Sequence, residues 1–300
     1  MTVKGSQQKI VFVTGKGGVG KSLIAAAIAS ERAKSGRRTL LVELGDTSYY
    51  QDLFSLPEVT HHPASTKYGF DLALWGGESS LREYVLHYLR MEKLYNLFFD
   101  NRVMRALVNV APGLPEIAML GKITSGIRKV GPALNYDDII VDCFASGHAL
   151  ALLKTARGMK EAIPLGPMGH HSAEIDLVLR DKNVTSVVVV TLLEELPVVE
   201  SLELVSDLQK EFGLEAVIVA NRVLKAPVSA DEIKAEAEKS DSSLKEFAKF
   251  ILGTEKRQAE LIERLKQQTT KIAEVPQIFD TTADQLLREA GASLPQAGEL

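Results

Sequence analysis

The sequence predicts an α/β fold, a doubly wound, mostly parallel sheet with a helical lobe inserted between two of its strands. Three observations predict it. Short runs rich in Val, Ile and Leu recur along the chain. They are nearly continuous in apolar residues rather than alternating, as strands covered on both faces are. The stretches between them carry apolar residues at helical spacing, and strand then helix, repeated, builds a parallel sheet with its ligands at the carboxyl ends of the strands.

The first run, Ile10-Val11-Phe12-Val13, leads through a glycine-rich turn into a helix predicted from Ser22 to Ser35. Arg38 to Glu43 (RTLLVE) is the second strand, and Phe70 to Trp75 reads as a further one. The sheet resumes at Asp137 to Asp142 (DDIIVD) and continues with Ser186 to Thr191 (SVVVVT) and Glu215 to Asn221 (EAVIVAN). Periodicity places helices at Glu200 to Phe212 and Asp231 to Phe250.

Between Glu78 and Val130 the alternation breaks. Leu81, Val85, Leu89, Tyr95, Phe98 and Phe99, then Val103, Leu107 and Val110, place two helices before the turn Ala111-Pro112-Gly113-Leu114-Pro115, and a third spans Glu116 to Lys129. Residues 78–130 therefore read as a lobe inserted into one domain of residues 1–300. Met91, Phe98, Phe99, Met104 and Met119 are either a partner-binding groove or the lobe's own core, and apolar residues at helical spacing favour the core.

Composition narrows the class. A net charge of −4 with no basic stripe argues against nucleic acid or an anionic membrane surface as the main partner. The opening MTVKGSQQK is polar and no apolar stretch is long enough to span a bilayer, so neither signal peptide nor integral membrane segment is expected and the chain is placed in the cytoplasm. Ala283 to Leu300 mixes Asp284, Arg288, Glu289 and Glu299 with Gly and Pro instead of forming a basic amphipathic helix. Cys143 is the single cysteine, which excludes an internal disulfide or a multi-thiolate metal site, and it reads as a small packed side chain. His61-His62 and His170-His171 are adjacent pairs without metal-ligand spacing, and are expected in surface loops.

The turn after the first strand carries the chemistry. Residues Gly15 to Ser22 read GKGGVGKS, a glycine, four free positions, then Gly-Lys-Ser, in the strand-to-helix context that this phosphate-binding pattern requires. Glycines let backbone N–H groups reach a phosphate chain, and the helix start adds unpaired N–H groups and the positive end of its dipole. Gly15, Lys16, Gly17, Gly18, Val19, Gly20, Lys21 and Ser22 are thus a candidate nucleotide cradle on a P-loop NTPase fold. Lys21 is expected to reach the β- and γ-phosphates and the Ser22 hydroxyl to hold Mg²⁺. Asp142, at the carboxyl end of a buried strand facing that loop, is the second metal-holding candidate.

Lys16, directly after the first glycine, is an extra cation. It resembles the signature lysine of the deviant Walker A families, which include partition and division-site ATPases, the nitrogenase iron protein, and the arsenite-pump and tail-anchored-protein-targeting ATPases. That resemblance implies a homodimer or paralogue heterodimer in which Lys16 crosses to the partner's phosphates.

The likeness to the arsenite-pump and targeting branch is more specific. Asp142-Cys143-Phe144-Ala145-Ser146-Gly147-His148 is similar to that branch's second switch, keeping Asp142, Gly147 and His148, and Ala111 to Ile123 resembles the Pro-Gly stretch that precedes it. Thr191 to Glu200 looks like the branch's post-strand loop, Asn221 matches the asparagine that reads adenine, and Pro276 is a weaker match near the base. The resemblance implies an ATPase binding ATP/ADP and Mg²⁺, coupled to a protein partner.

Departures matter as much. The branch has an aspartate after the second strand to position the attacking water; here Gly45 stands at that place, with Asp46 one residue on and Glu43 two back. Asp46 is taken as the partial substitute and turnover is expected to be slow. The zinc CxxC and the Met-rich client insertion have no counterpart, and one cysteine cannot build a metalloid site, so no arsenite site is expected. The competing readings are a nucleotide-binding interaction protein with little hydrolysis and a partition or positioning ATPase.

Overall fold

The computed structural model describes residues 8–89, 113–132, 134–226, 228–269, 271–279 and 282–295. Its sheet has eight strands in the order β3-β4-β2-β5-β1-β6-β7-β8. They are β1 (Lys9–Gly15), β2 (Thr39–Leu44), β3 (Ala64–Ser65), β4 (Asp71–Trp75), β5 (Asp138–Asp142), β6 (Thr185–Leu192), β7 (Ala216–Val223) and β8 (Ile272–Pro276). All neighbours are parallel except the short edge strand β3, which runs against β4.

The helices are α1 (Lys21–Lys34), α2 (Tyr49–Leu53), α3 (Gly77–Leu89), α4 (Leu114–Ile123), α5 (Ser125–Arg128), α6 (Ser146–Ala162), α7 (Gly166–Arg180), α8 (Glu195–Phe212), α9 (Ala230–Glu238), α10 (Ser242–Lys266) and α11 (Ala283–Ala292). The near-continuous strands follow from layers on both faces. On β1, Ile10 and Phe12 enter one core with Ile117, Leu152 and Leu208 of α4, α6 and α8. Val11 and Val13 enter the other, with Ile24 and Ile28 of α1 and Leu287 of α11.

From β1 the chain turns to one side for β2, and later crosses from β5 to β6 on the other side of β1. That divergence opens a crevice at the carboxyl end of β1, where Gly15 begins the loop.

Several elements differ from expectation, each for a local reason. The single helix predicted over Asp231 to Phe250 is two. Ser229 and Glu232 form a reciprocal capping box at the start of α9, and Asp241 accepts from Leu244 N to start α10. The helix predicted from Glu116 to Lys129 breaks at Thr124, whose hydroxyl bonds back to the Leu120 carbonyl at 2.7 Å. Ala283 to Ala292, which the sequence marks only as not a basic amphipathic helix, forms α11 with Asp284, Arg288 and Glu289 as its charged residues, and its Leu287 and Ala290 are buried against the α1 layer.

The histidines also differ. His171 lies on α7 and is 4% exposed, while His61 bonds Glu83 at 2.8 Å and its carbonyl accepts from the Trp75 indole at 3.0 Å; of the two pairs, His62 and His170 are the surface members. Met119 is buried on α4 in the main core. The predicted helices through Tyr95, Phe98, Phe99, Val103, Leu107 and Val110, and the side chains of Met91 and Met104, lie outside the described residues.

Candidate functional site

The loop's backbone is set by glycine geometry. A Cβ on Gly15 would come 2.1 Å from the Val190 carbonyl oxygen of β6, so the strand can turn there only without a side chain. Gly20 is the left-handed N-cap of α1, with φ of 95°. Gly17 and Gly18 are exposed, with open space where a Cβ would lie, leaving room for a phosphate to reach the backbone. Helix α1 then offers its first N–H groups, which have no partner within a helix. Lys21 Nζ folds back onto the Lys16 carbonyl at 3.1 Å. Burial lowers the Lys21 pKa, opposed chiefly by the charge of Asp142.

Opposite the loop, Asp142 ends β5 in register with Val13 of β1 and Glu43 of β2. It is buried, which raises its carboxyl pKa against the lowering hydrogen bonds from Ser22 and Tyr50 and the charge of Lys21. Tyr50 of α2, fully buried, places its hydroxyl 3.0 Å from Asp142 Oδ2 and 2.9 Å from the Ser22 carbonyl. Burial first, then the neighbouring Asp142 and Glu43, raises the phenol's pKa well above its ordinary value, so it stays a neutral donor. Asp142 Oδ1 is buried with no hydrogen-bond partner. A buried, unpaired carboxylate oxygen beside a serine hydroxyl is a donor set that fits Mg²⁺ and its water shell.

Beside the loop, the Asn221 amide donates to the Val19 carbonyl at 2.8 Å, and its oxygen accepts from Arg222 N–H at 2.9 Å. The side chain expected to read a base therefore also struts the phosphate loop from β7. Gly20 is the reason it fits, since a Cβ there would lie 2.3 Å from Asn221 Nδ2. A cleft of about 440 Å³ brings Gly18, Gly20, Lys21 and Ser22 together with Asn221 and Pro276, and adds Tyr49, Arg222 and Ile278. A larger cleft of about 660 Å³, between α8 and the end of α10, touches none of these residues.

Other candidates stand apart. Lys16 pairs with Glu200 of α8 at 2.7 Å. Asp46 is exposed and turned toward Gly76, where a Cβ would lie 2.6 Å from its Oδ1. Glu43 is buried, its carboxylate taken by the Ser48 hydroxyl and by Tyr49 N–H at 2.7 Å. Burial raises the Glu43 pKa against those two bonds. Gly147 and His148 are exposed in the first turn of α6, and Cys143 is buried, its N–H bonded to the Val13 carbonyl at 2.9 Å. Tyr50 and Glu200 were not legible in the sequence. Each acquires its role from a partner 92 and 184 positions away, respectively.

A family model described as anion-transporting ATPase matches residues 8–166. The chain is 33% identical over 244 residues to ATPase BagA of Mycobacterium tuberculosis, covering 77% of this chain and 69% of that protein. It is 32% identical over 238 residues to a putative arsenical pump-driving ATPase of Halobacterium salinarum, covering 73% of this chain and 36% of that one. Against the putative arsenical pump-driving ATPase 2 of Aquifex aeolicus it is 25% identical over 283 residues, 83% and 91% of the two chains.

Proposed function

The chain belongs to the anion-transporting ATPase family, and from that premise we propose that it is a Mg²⁺-dependent ATPase working as a dimer, whose nucleotide state sets its engagement of a protein partner. The observation that carries this reading is the buried Asp142 Oδ1, without a hydrogen-bond partner, at the end of the strand paired with the one that leads into GKGGVGKS.

In this reading the loop backbone from Gly15 to Gly20 and the start of α1 hold the phosphates in a line fixed by β1. Lys21 leaves the Lys16 carbonyl and places its charge on the β- and γ-phosphates, where negative charge accumulates as the phosphoryl group departs. Ser22 and Asp142 are the residues that would hold Mg²⁺, and the ion would supply charge neutralisation for the phosphates. Asn221 and Pro276 border the base end of the cleft. Lys16 gives up Glu200 and crosses to a second copy's phosphates, as its resemblance to the signature lysine implies.

Asp142, Gly147 and His148, at the junction of β5 and α6, transmit the γ-phosphate's presence toward α4 and α6, which share a core. We take residues 1–300 as one catalytic unit and residues 78–130 as the segment whose position follows the nucleotide. No helix among the described residues is long and apolar enough to cross a membrane. No arsenite site is proposed, because Cys143 is the only cysteine in the chain.

One observation favours a second reading, binding with little hydrolysis. Gly45 stands at the water-positioning place, Glu43 is already hydrogen-bonded to Ser48 and Tyr49, and Asp46 turns toward Gly76. Asp46 is the proposed partial substitute, because the loop it occupies needs only a small shift to bring it to the γ-phosphate. Phosphate release measured over a range of protein concentrations, with Mg²⁺ or with EDTA, separates the readings. Mg²⁺-dependent turnover that rises per chain with protein concentration supports the first. Nucleotide binding without turnover supports the second, and absence of nucleotide binding overturns both.

A further inference from the structure

The Tyr50 hydroxyl donates to the Asp142 carboxylate, and the nearby Ser22 hydroxyl has another task. A Ser22 hydroxyl serving as a metal ligand turns its oxygen to the cation. Tyr50 does not share that task. Its ring is locked by stacking on Phe54, with centroids 5.5 Å apart, and by an edge contact from Tyr49 at 5.8 Å. Its hydroxyl sits between Asp142 Oδ2 and the Ser22 carbonyl, so it touches both residues that would hold the metal. With Oδ2 engaged by Tyr50, the oxygen left over is Oδ1, buried and unpaired.

We propose that Tyr50 is a positioning residue for the metal site. Its hydroxyl fixes the rotation of the Asp142 carboxylate so that Oδ1 faces the metal's water shell. It also ties metal occupancy to the placement of α2, which follows the Gly45–Asp46 loop directly. The proposal deepens the Mg²⁺-ATPase reading and rests on it. Sheet register supports the coupling, because Glu43, which caps the start of α2 through Ser48 and Tyr49 N–H, is also the cross-strand neighbour of Asp142. Displacement of α2 therefore pulls on the carboxylate through Tyr50 and disturbs its neighbour Glu43 together. Outer-shell donors of this kind orient the groups that hold a metal.

The test is binding, not turnover. A fluorescent ATP analogue is titrated into wild type and Tyr50→Phe, once in excess Mg²⁺ and once in EDTA, and the ratio of the two dissociation constants is the metal's contribution. Tyr50→Phe keeps the ring and should leave the EDTA value within about twofold, while the ratio falls about tenfold, the low end of what losing an outer-shell partner costs a metal site. Phe54→Leu loosens the same packing but keeps the hydroxyl. It should lower the melting temperature and leave the ratio at the wild-type value. An unchanged ratio in Tyr50→Phe, or an equal fall in both variants, overturns the proposal. Wild type that gains nothing from Mg²⁺ overturns the metal reading beneath it instead.

Discussion

Lys16 Nζ lies 2.7 Å from Glu200 Oε1, so the loop's second lysine is held by its own chain, on the first turns of α8. Both side chains keep over a third of their exposure. A pair this accessible contributes no more than about 1 kcal/mol, little enough for a second copy's phosphates to outbid.

The first prediction follows from that balance. Glu200→Gln frees Lys16 and should lower the protein concentration needed for half-maximal turnover by up to about thirtyfold, since a symmetric dimer breaks two such pairs of about 1 kcal/mol each. The melting temperature should hardly move. Turnover measured against protein concentration checks it, and an unchanged midpoint would mean that the pair does not compete with assembly.

Gly45 has φ of 148°, a left-handed value that side chains adopt at a cost, although a Cβ there would meet nothing closer than the Thr47 carbonyl at 3.9 Å. The penalty for substitution is therefore conformational, about 1–2 kcal/mol for Gly45→Ala by urea unfolding. Gly45→Asp should cost about as much in stability. It should turn over faster than Gly45→Ala, on the order of tenfold, because it restores a partner for the attacking water. Asp46→Asn should slow the wild type with little change in ATP affinity, measured by the same assays.

How much of this was legible in the sequence differs by element. Strands β1, β2, β5, β6 and β7 were readable because each is buried on both sides and so is almost unbroken in Val, Ile and Leu. Strand β8 was not, since IAEVP lies at the sheet edge, half exposed, and its single glutamate and terminal proline mute the pattern. The break between α9 and α10 was marked by Ser229 with Glu232 and by Asp241, capping residues overridden by the apolar spacing around them. The glycine-rich turn from Gly15 to the start of α1 was readable, because its sequence pattern is local. The resting partner of Lys16 and the donor to Asp142 were not, because each is an accident of topology that brings distant residues to one rim of the sheet.

Asn221 offers a choice between two roles. Its amide bond to the Val19 carbonyl is buried, and Asn221→Ala should cost about 1–3 kcal/mol by removing it. Affinity for ATP and GTP should fall together, since the loop itself loosens. Loss of preference for ATP over GTP in a variant of unchanged stability would mean instead that the side chain chiefly reads the base.

His171 makes stability pH-dependent. It is packed on α7 against Arg128, whose Nη1 is 2.9 Å from Nδ1, and against the Tyr84 ring, with His170 and Glu174 nearby. Burial, then the charges of Arg128 and His170, hold its pKa down at about 4. The unfolded chain binds this proton near pH 6.5 and the folded one only near pH 4, so the stabilisation is complete above pH 6.5 and is lost as pH falls through that window. The melting temperature should fall from pH 6.5 to 4, and His171→Gln should flatten that slope.

The most direct measurement is the thermal stability of wild type and Lys21→Ala in Mg²⁺-ATP. At a hundredfold excess over Kd, wild type should gain about 2.7 kcal/mol, and Lys21→Ala should gain almost nothing at the same concentration. A wild-type melt unmoved by Mg²⁺-ATP and Mg²⁺-ADP alike would contradict the account at its base, since residues Gly15 to Ser22 would then be a turn and not a phosphate site.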